Sequence, residues 1–495
     1  MLTRSFCVVL GSAALAMLAS CATASQESMP AEAQAVAPLQ LTPCRPEGAT
    51  RDFLCGAHSV PENRALRDGR RLTLNVVVIP ARTLAPDAAP IFFLAGGPGQ
   101  AATEGAADFD NGWETEFNDV VLVDVRGSAG DHRLDCPPPA EAGPQAYLDP
   151  PFSDRARFRN CITGLSAEYD LTQYTTRLAM QDIDEVRQAL GYDTINLYGI
   201  SYGSRATLTY IHYYGDHVRA ALISGPAPLA NRNPLYHARA AQRAIEQVAS
   251  SCAADPACHA AFPDVLGDLD AVMAELSARP ARVTLAHDDT ETEVTLTAPA
   301  FFEGLRVMLY RSEGSRRAPY LLSRARQGDL APFAQAAHAS TRALDNALRM
   351  GLLLAVTCSE DLPRISEADI VEFTEGTYMA DVRVRNQMAA CEGLPRATLA
   401  PDFYDPYTSD VPLLVITGDL DPVTPPHWGD VAREGFANSR LILTPGGHGE
   451  GGACIDPITA GFIRTADLSS LDTTCVDTLT LPPFVLDAAG LEQQD

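Results

Sequence analysis

The five residues Gly199-Ile200-Ser201-Tyr202-Gly203 constrain this chain more than any other feature. They follow a short apolar run at 195–198 and precede a helical pattern at 204–213. That setting describes a tight turn from strand to helix which holds the serine side chain up and exposed. The flanking glycines permit a strained backbone and a close approach that a side chain would block. The pattern is common by itself, and its position between a buried strand and a helix gives it weight.

The rest of the chain repeats the same alternation. The segment 72–79 alternates and is rich in valine, and the apolar runs at 91–94, 120–123, 195–198, 220–223, 413–416 and 441–443 are short and nearly continuous, as in strands buried on both faces. Between some of them lie amphipathic helical patterns. Residues 178–190, with Leu178, Ile183, Val186 and Leu190 on one face and Gly191 at the end, form one. Strand and helix in alternation predict an α/β fold, a mostly parallel central sheet covered by helices. From 229 to 405 the strand pattern is interrupted by helical stretches at 236–250, 264–276 and 299–309, with one strand-like piece at 282–296. This segment reads as a largely helical cap inserted into the core, whose two parts are 41–228 and 406–495.

A serine hydroxyl is a weak nucleophile unless a base takes its proton and an acid orients that base. In α/β-hydrolases the chain order is serine, acid, histidine, and the last two follow late strands. After the run at 413–416 comes Thr417-Gly418-Asp419-Leu420-Asp421-Pro422, and after 441–443 comes Thr444-Pro445-Gly446-Gly447-His448-Gly449. His427 and His448 are the histidines beyond Asp421. His427 sits where a helix begins after Pro425-Pro426, whereas His448 lies on a glycine-rich turn from which an imidazole can reach across, so His448 is the candidate base. Asp419 and Asp421 both occupy the turn, and either can be a plain turn residue. Asp421, three past the glycine, is the favoured acid. Two backbone N–H groups are also needed for the oxyanion: Tyr202, which follows the nucleophile, and Gly97 in Ala95-Gly96-Gly97-Pro98-Gly99-Gln100.

At this point the chain resembles the prolyl and tripeptidyl aminopeptidase family of α/β-hydrolases. The resemblance rests on Gly96-Gly97-Pro98-Gly99, Asp124-Val125-Arg126-Gly127, Tyr174-Thr175-Thr176, Leu190-Gly191-Tyr192, the serine motif, Asp421-Pro422-Val423-Thr424-Pro425 and Gly447-His448-Gly449. It spans about 45–480, and its last portion is similar to the C-terminal domain of the tripeptidyl branch. It implies a serine exopeptidase acting on free peptide N-termini without a cofactor. It also implies acidic cap residues for the substrate ammonium, and Glu360 and Asp361 in Thr357-Cys358-Ser359-Glu360-Asp361 match that segment. The family's Asp-Gly after the next strand is Ser224-Gly225 here. An esterase on the same triad, and a non-catalytic lipoprotein that kept the fold, are the alternatives. Asp124 and Arg126 are read as a structural ion pair, and Trp113 and Trp428 as packing residues.

The N-terminus carries an address. Arg4 precedes a short apolar stretch at 6–18, too short to span a bilayer, and Leu18-Ala19-Ser20-Cys21 resembles a bacterial lipobox. Residues 1–21 are therefore expected to be a signal peptide with Cys21 lipidated, which anchors the protein to a membrane, and 22–40 a flexible tether. Of the twelve cysteines, ten lie beyond Cys21, and their clustering suggests five disulfides between sequence neighbours. None has the spacing of a zinc site. The net charge of −26 opposes binding to phosphate backbones and, with no basic stripe, excludes nucleic acid as a partner.

Overall fold

The computed structural model describes residues 36–492 apart from 84, 86, 87, 140, 141, 288 and 289. The signal segment, Cys21 and most of the expected tether lie outside the described residues. The strands are, in chain order, β1 (Thr42–Cys44), β2 (Phe53–Pro61), β3 (Arg71–Ile79), β4 (Ile91–Leu94), β5 (Val120–Val123), β6 (Ile195–Ile200), β7 (Val218–Ser224), β8 (Ala281–His287), β9 (Thr290–Leu296), β10 (Leu413–Gly418) and β11 (Ser439–Thr444). All but β8 and β9 form one nine-stranded sheet in the order β1-β2-β3-β5-β4-β6-β7-β10-β11. From β5 to β11 the pairing is parallel, and β3, β2 and β1 add an antiparallel margin. This is the α/β-hydrolase architecture expected from the alternating runs.

Burial on both faces explains why the parallel strands are continuously apolar. In β4, Phe92 and Leu94 enter one core cluster while Ile91 and Phe93 enter the other. In β10, Leu413 and Val415 go one way, Leu414 and Ile416 the other. The helix Thr176–Ala189 covers the first face. It is capped by the Thr175 side chain, which accepts from the Leu178 N–H, and it turns Ile183 and Val186 inward. The helix Ile455–Thr465 covers the second face with Ile458 and Phe462.

Between β7 and β10 the chain builds a helical layer with its own core, in which Phe301 stacks on Phe333 at 3.7 Å. The strand-like piece anticipated at 282–296 is a hairpin, β8 paired antiparallel with β9. The insertion is divided in its packing. Its earlier helices share the separate core, whereas the helices Met350–Glu360 and Val382–Ala390 send Leu352, Leu354 and Val384 into the core of the sheet.

All five neighbour disulfides form: Cys44–Cys55, Cys136–Cys161, Cys252–Cys258, Cys358–Cys391 and Cys454–Cys475. Asp124 and Arg126 do not pair with one another. Arg126 donates to both carboxylate oxygens of buried Asp182, on the helix Thr176–Ala189, at 2.7 and 2.8 Å, whereas Asp124 is committed to Asn75 of β3 and to Thr103, from which it accepts. Among the described residues, no helix is long and apolar enough to cross a membrane.

Candidate active site

Parallel strands deliver their C-terminal ends to one edge of the sheet, and the segments singled out in the sequence leave from that edge. Gly96 and Gly97 follow β4, Ser201 follows β6, Asp421 follows β10 and His448 follows β11.

Ser201 is the turn between β6 and the helix Tyr202–Tyr214, with φ 58° and ψ −123°. Its neighbours explain the motif. A Cβ on Gly199 would lie 2.2 Å from the Gly203 carbonyl oxygen, and a Cβ on Gly203 would lie 1.9 Å from that of Leu94. Only glycines let the helix press against the strands this closely, and the cost of positive φ at Ser201 is carried by that packing. The Ser201 N–H donates to the Ser224 carbonyl at 2.9 Å, which ties the turn to β7.

His448 and Asp421 meet directly: Nδ1 to Oδ2 is 2.7 Å. Asp421 is completely buried, and its carboxylate also accepts from the Val423 N–H at 2.8 Å and from the Thr424 N–H and hydroxyl at 2.7 Å. Burial disfavours its charge most, but the His448 ring and the Thr424 donors outweigh it and hold the carboxyl below its ordinary range. Asp421 is therefore an anion fixed against one ring nitrogen, which leaves Nε2 as the nitrogen able to accept a proton. Asp419 is turned away and pairs instead with Arg243. His427 opens the helix His427–Ala432, as its position after two prolines suggested.

Ser201, His448, Gly97 and Tyr202 line one cavity of 1440 Å³ between the sheet and the helical layer. A Cβ on Gly96 would lie 3.3 Å from the Ser201 Cβ, so the glycine loop passes directly beside the serine. Behind this wall, the Tyr202 hydroxyl meets Thr176 Oγ1 at 2.8 Å.

Glu360 and Asp361 are not brought to this cavity. Both are completely buried behind Tyr202. Glu360 accepts from the Thr176 N–H at 2.6 Å and hydroxyl at 2.7 Å, and Asp361 accepts from Arg205 Nη1 at 3.0 and 2.9 Å. Burial pushes the Glu360 carboxyl up to about 7, against the pull of Arg205 and Thr176. The two acids join the helix Thr176–Ala189 and the elbow helix to the inserted segment, and their oxygens are already committed.

Three residues at the site escaped the sequence reading. Gly225, after β7, has φ 57°, and a Cβ there would lie 2.8 Å from His448 Cε1. Thr424 donates to Asp421 and stands 3.1 Å from His448 Nδ1. Tyr310, from the inserted layer, accepts the His448 N–H on its carbonyl at 2.8 Å and packs edge-on against the imidazole at 5.2 Å. Gly225 and Thr424 had a signal, since both sit in segments matched or contrasted with the family. Tyr310 had none, because only the fold brings it to the histidine.

Among the described residues, no cluster of three or more histidine, cysteine or acidic side chains could hold a metal ion. The arrangement instead provides a serine on a strained turn, an imidazole backed by a buried carboxylate, and backbone N–H groups beside the serine.

Residues 377–475 match the family described as TAP-like protein. Serine protease Hip1 of Mycobacterium tuberculosis is 25% identical over 248 residues, which cover 45% of this chain and 46% of that protein. The chain thus spans about half the length of the curated relatives it matches. Among solved structures, proline iminopeptidase of Mycobacterium smegmatis is 16% identical and covers 84% of this chain and 99% of that one, with a TM-score of 0.39. An esterase of Exiguobacterium antarcticum is likewise 16% identical, covering 81% and 95%, with a TM-score of 0.32.

Proposed function

We propose that this chain, whose residues 377–475 match the TAP-like family, is an exported serine aminopeptidase which releases residues or short peptides from free peptide N-termini through an acyl-enzyme. The observation that carries this reading is the 2.7 Å contact between His448 Nδ1 and buried Asp421, on a cavity that Ser201 also lines.

In this reaction Ser201 Oγ attacks the substrate carbonyl carbon and gives its proton to His448 Nε2. Asp421 stabilises the imidazolium through Nδ1, and the Gly97 and Tyr202 N–H groups receive the carbonyl oxygen as it becomes an oxyanion. The carbon–nitrogen bond then breaks, with the proton passing from His448 to the leaving amine. Water, deprotonated by the same imidazole, releases the acyl group and restores Ser201.

The α-ammonium is received by carboxylates on the cavity wall. Asp149 and Asp345 line the cavity, and partial burial holds the Asp345 carboxyl above its ordinary range. An incoming ammonium can pair with both and relieves that cost at Asp345. Export is supported by the five disulfides, which belong to an oxidising compartment, and by the signal-like 1–21 segment with Cys21 as the lipidated residue.

Turnover of aminoacyl- and tripeptidyl-naphthylamides, with free and acetylated N-termini, tests the reading against short acyl esters. Cleavage of the amides that disappears on acetylation supports it. Cleavage of esters alone, indifferent to the amine, replaces it with an esterase on the same triad.

A further inference from the structure

Among the described residues, Arg383 is a buried cation with no anion of its own. It lies on the cavity wall, on the helix Val382–Ala390, and is 8% exposed. Its Nη1 donates to the neutral Gln387 side chain at 2.7 Å, and its Nε is buried without a hydrogen-bond partner. The guanidinium stands 4.9 Å over the ring of Phe152, which also lines the cavity. Gln387 is itself fixed, since its amide donates to Thr357 at 2.7 Å. The guanidinium is therefore held rigidly in place while part of its donor capacity goes unused.

The surroundings do not supply the missing anion. The nearby carboxylate is Glu303, and Arg306 takes both its oxygens, at 2.5 and 3.0 Å. Burial weighs most against the charge of Arg383; Glu303 offsets it in part and Arg306 opposes it, so the group is pushed down to about 10. His237 stands beside these groups on the same wall, buried, with Nδ1 unpartnered, and burial together with the two arginines and His448 pushes its imidazole well below the usual histidine range. One carboxylate against two guanidiniums leaves this patch positive inside a protein of net charge −26. A buried donor set with surplus positive charge is costly unless a ligand completes it. The patch also reaches the reacting residues through contacts. Arg306 donates to the Tyr310 hydroxyl at 2.9 Å, and Tyr310 packs on His448.

We propose that Arg383, with His237 beside it, forms a subsite for a substrate carboxylate, so that the cavity selects peptides carrying a glutamate or aspartate side chain near the scissile bond. The peptide character of the ligand rests on the function proposed above; the anion selectivity does not. A guanidinium that accepts a carboxylate out of water discriminates against the neutral amide by about tenfold or more, because the amide leaves the charge unpaired.

The test uses full-length Ser201→Ala protein, which binds without turnover, and titration calorimetry with pentapeptides of free N-terminus. Pairs differ only by glutamate or glutamine, placed at each position in turn. The expected result is at least tenfold tighter binding of the glutamate peptide at one or two positions, a ratio near one in the additional Arg383→Met variant, and a retained preference in Arg383→Lys. Equal binding of the two peptides at every position overturns the subsite without recourse to any Arg383 variant. So does a preference that persists in Arg383→Met protein whose melting midpoint matches its parent. Turnover of the same peptides by the wild type is read separately: glutamate-selective binding with no cleavage of any peptide keeps the anion subsite and discards the aminopeptidase.

Discussion

Gly225→Ala removes no functional group, yet it is expected to disable the site. The residue has φ 57°, where a side chain costs about 1 kcal/mol. More importantly, the new Cβ would sit 2.8 Å from His448 Cε1 and 2.9 Å from Nδ1, well inside ordinary van der Waals contact. The ring cannot absorb this in place. It is held by its 2.7 Å contact with Asp421 on one side and packs against Tyr310 on another. It must therefore tilt, and a displacement of about 1 Å in a reacting group costs on the order of a hundredfold in rate. The expected result is a fall in kcat/KM of roughly a hundredfold, or about 2.7 kcal/mol, against a loss of stability of only about 1 kcal/mol. Hydrolysis of a short p-nitrophenyl ester gives the first number, whatever the natural substrate, and urea denaturation gives the second. Activity within twofold of the wild type, in protein that is folded, would refute the claim that Gly225 makes room for the imidazole.

Other outcomes follow from the same geometry. Asp421→Asn places an amide N–H against His448 Nδ1, favours the wrong tautomer, and should lower kcat by about 10⁴-fold with little change in KM; a loss below tenfold contradicts Asp421 as the orienting acid. Glu360 has its carboxyl raised from 4.5 to about 7 in the folded state, so folding takes up a proton between those values. Stability is then greatest below pH 4.5 and declines as the pH rises toward 7. Glu360→Gln should accordingly raise the melting midpoint relative to wild type at pH 8 more than at pH 5, and the reverse order would contradict the burial argument. Replacing Cys358 and Cys391 together by alanine opens a bridge spanning 33 residues and should cost about 3–4 kcal/mol in urea denaturation; a cost below about 1 kcal/mol contradicts its role in holding the helices that carry Arg383 and Glu360.

The sequence was most legible where burial is symmetric. The runs at 91–94 and 120–123 are strands to the residue, because a strand covered on both faces must be apolar throughout. β2 went unread: paired between β1 and β3 in the antiparallel margin, it keeps Gly56, His58 and Ser59 only partly buried or exposed, and its pattern blurs. The hairpin of β8 and β9 read as one strand because the sequence from 282 to 296 contains no glycine or proline to mark a break. At the candidate site, the placement of Ser201, Asp421 and His448 at one edge of the sheet was legible because each follows a strand. Glu360 and Asp361 were misplaced because adjacent acids look the same in sequence whether they face a cavity or a buried arginine; Arg205, 156 residues from Asp361, decides which. Tyr310 and Arg383 were invisible for the same reason, since their meaning comes from which wall the inserted helices bring them to.

The central claim is that Ser201 is an activated nucleophile. Labelling the full-length protein with a fluorophosphonate probe and mapping the adduct by mass spectrometry tests it directly. The account predicts a single modified peptide carrying the label on Ser201, no label in Ser201→Ala, and a much slower reaction in Asp421→Asn. Folded wild-type protein that takes no label, or a label that persists when Ser201 is removed, would contradict it.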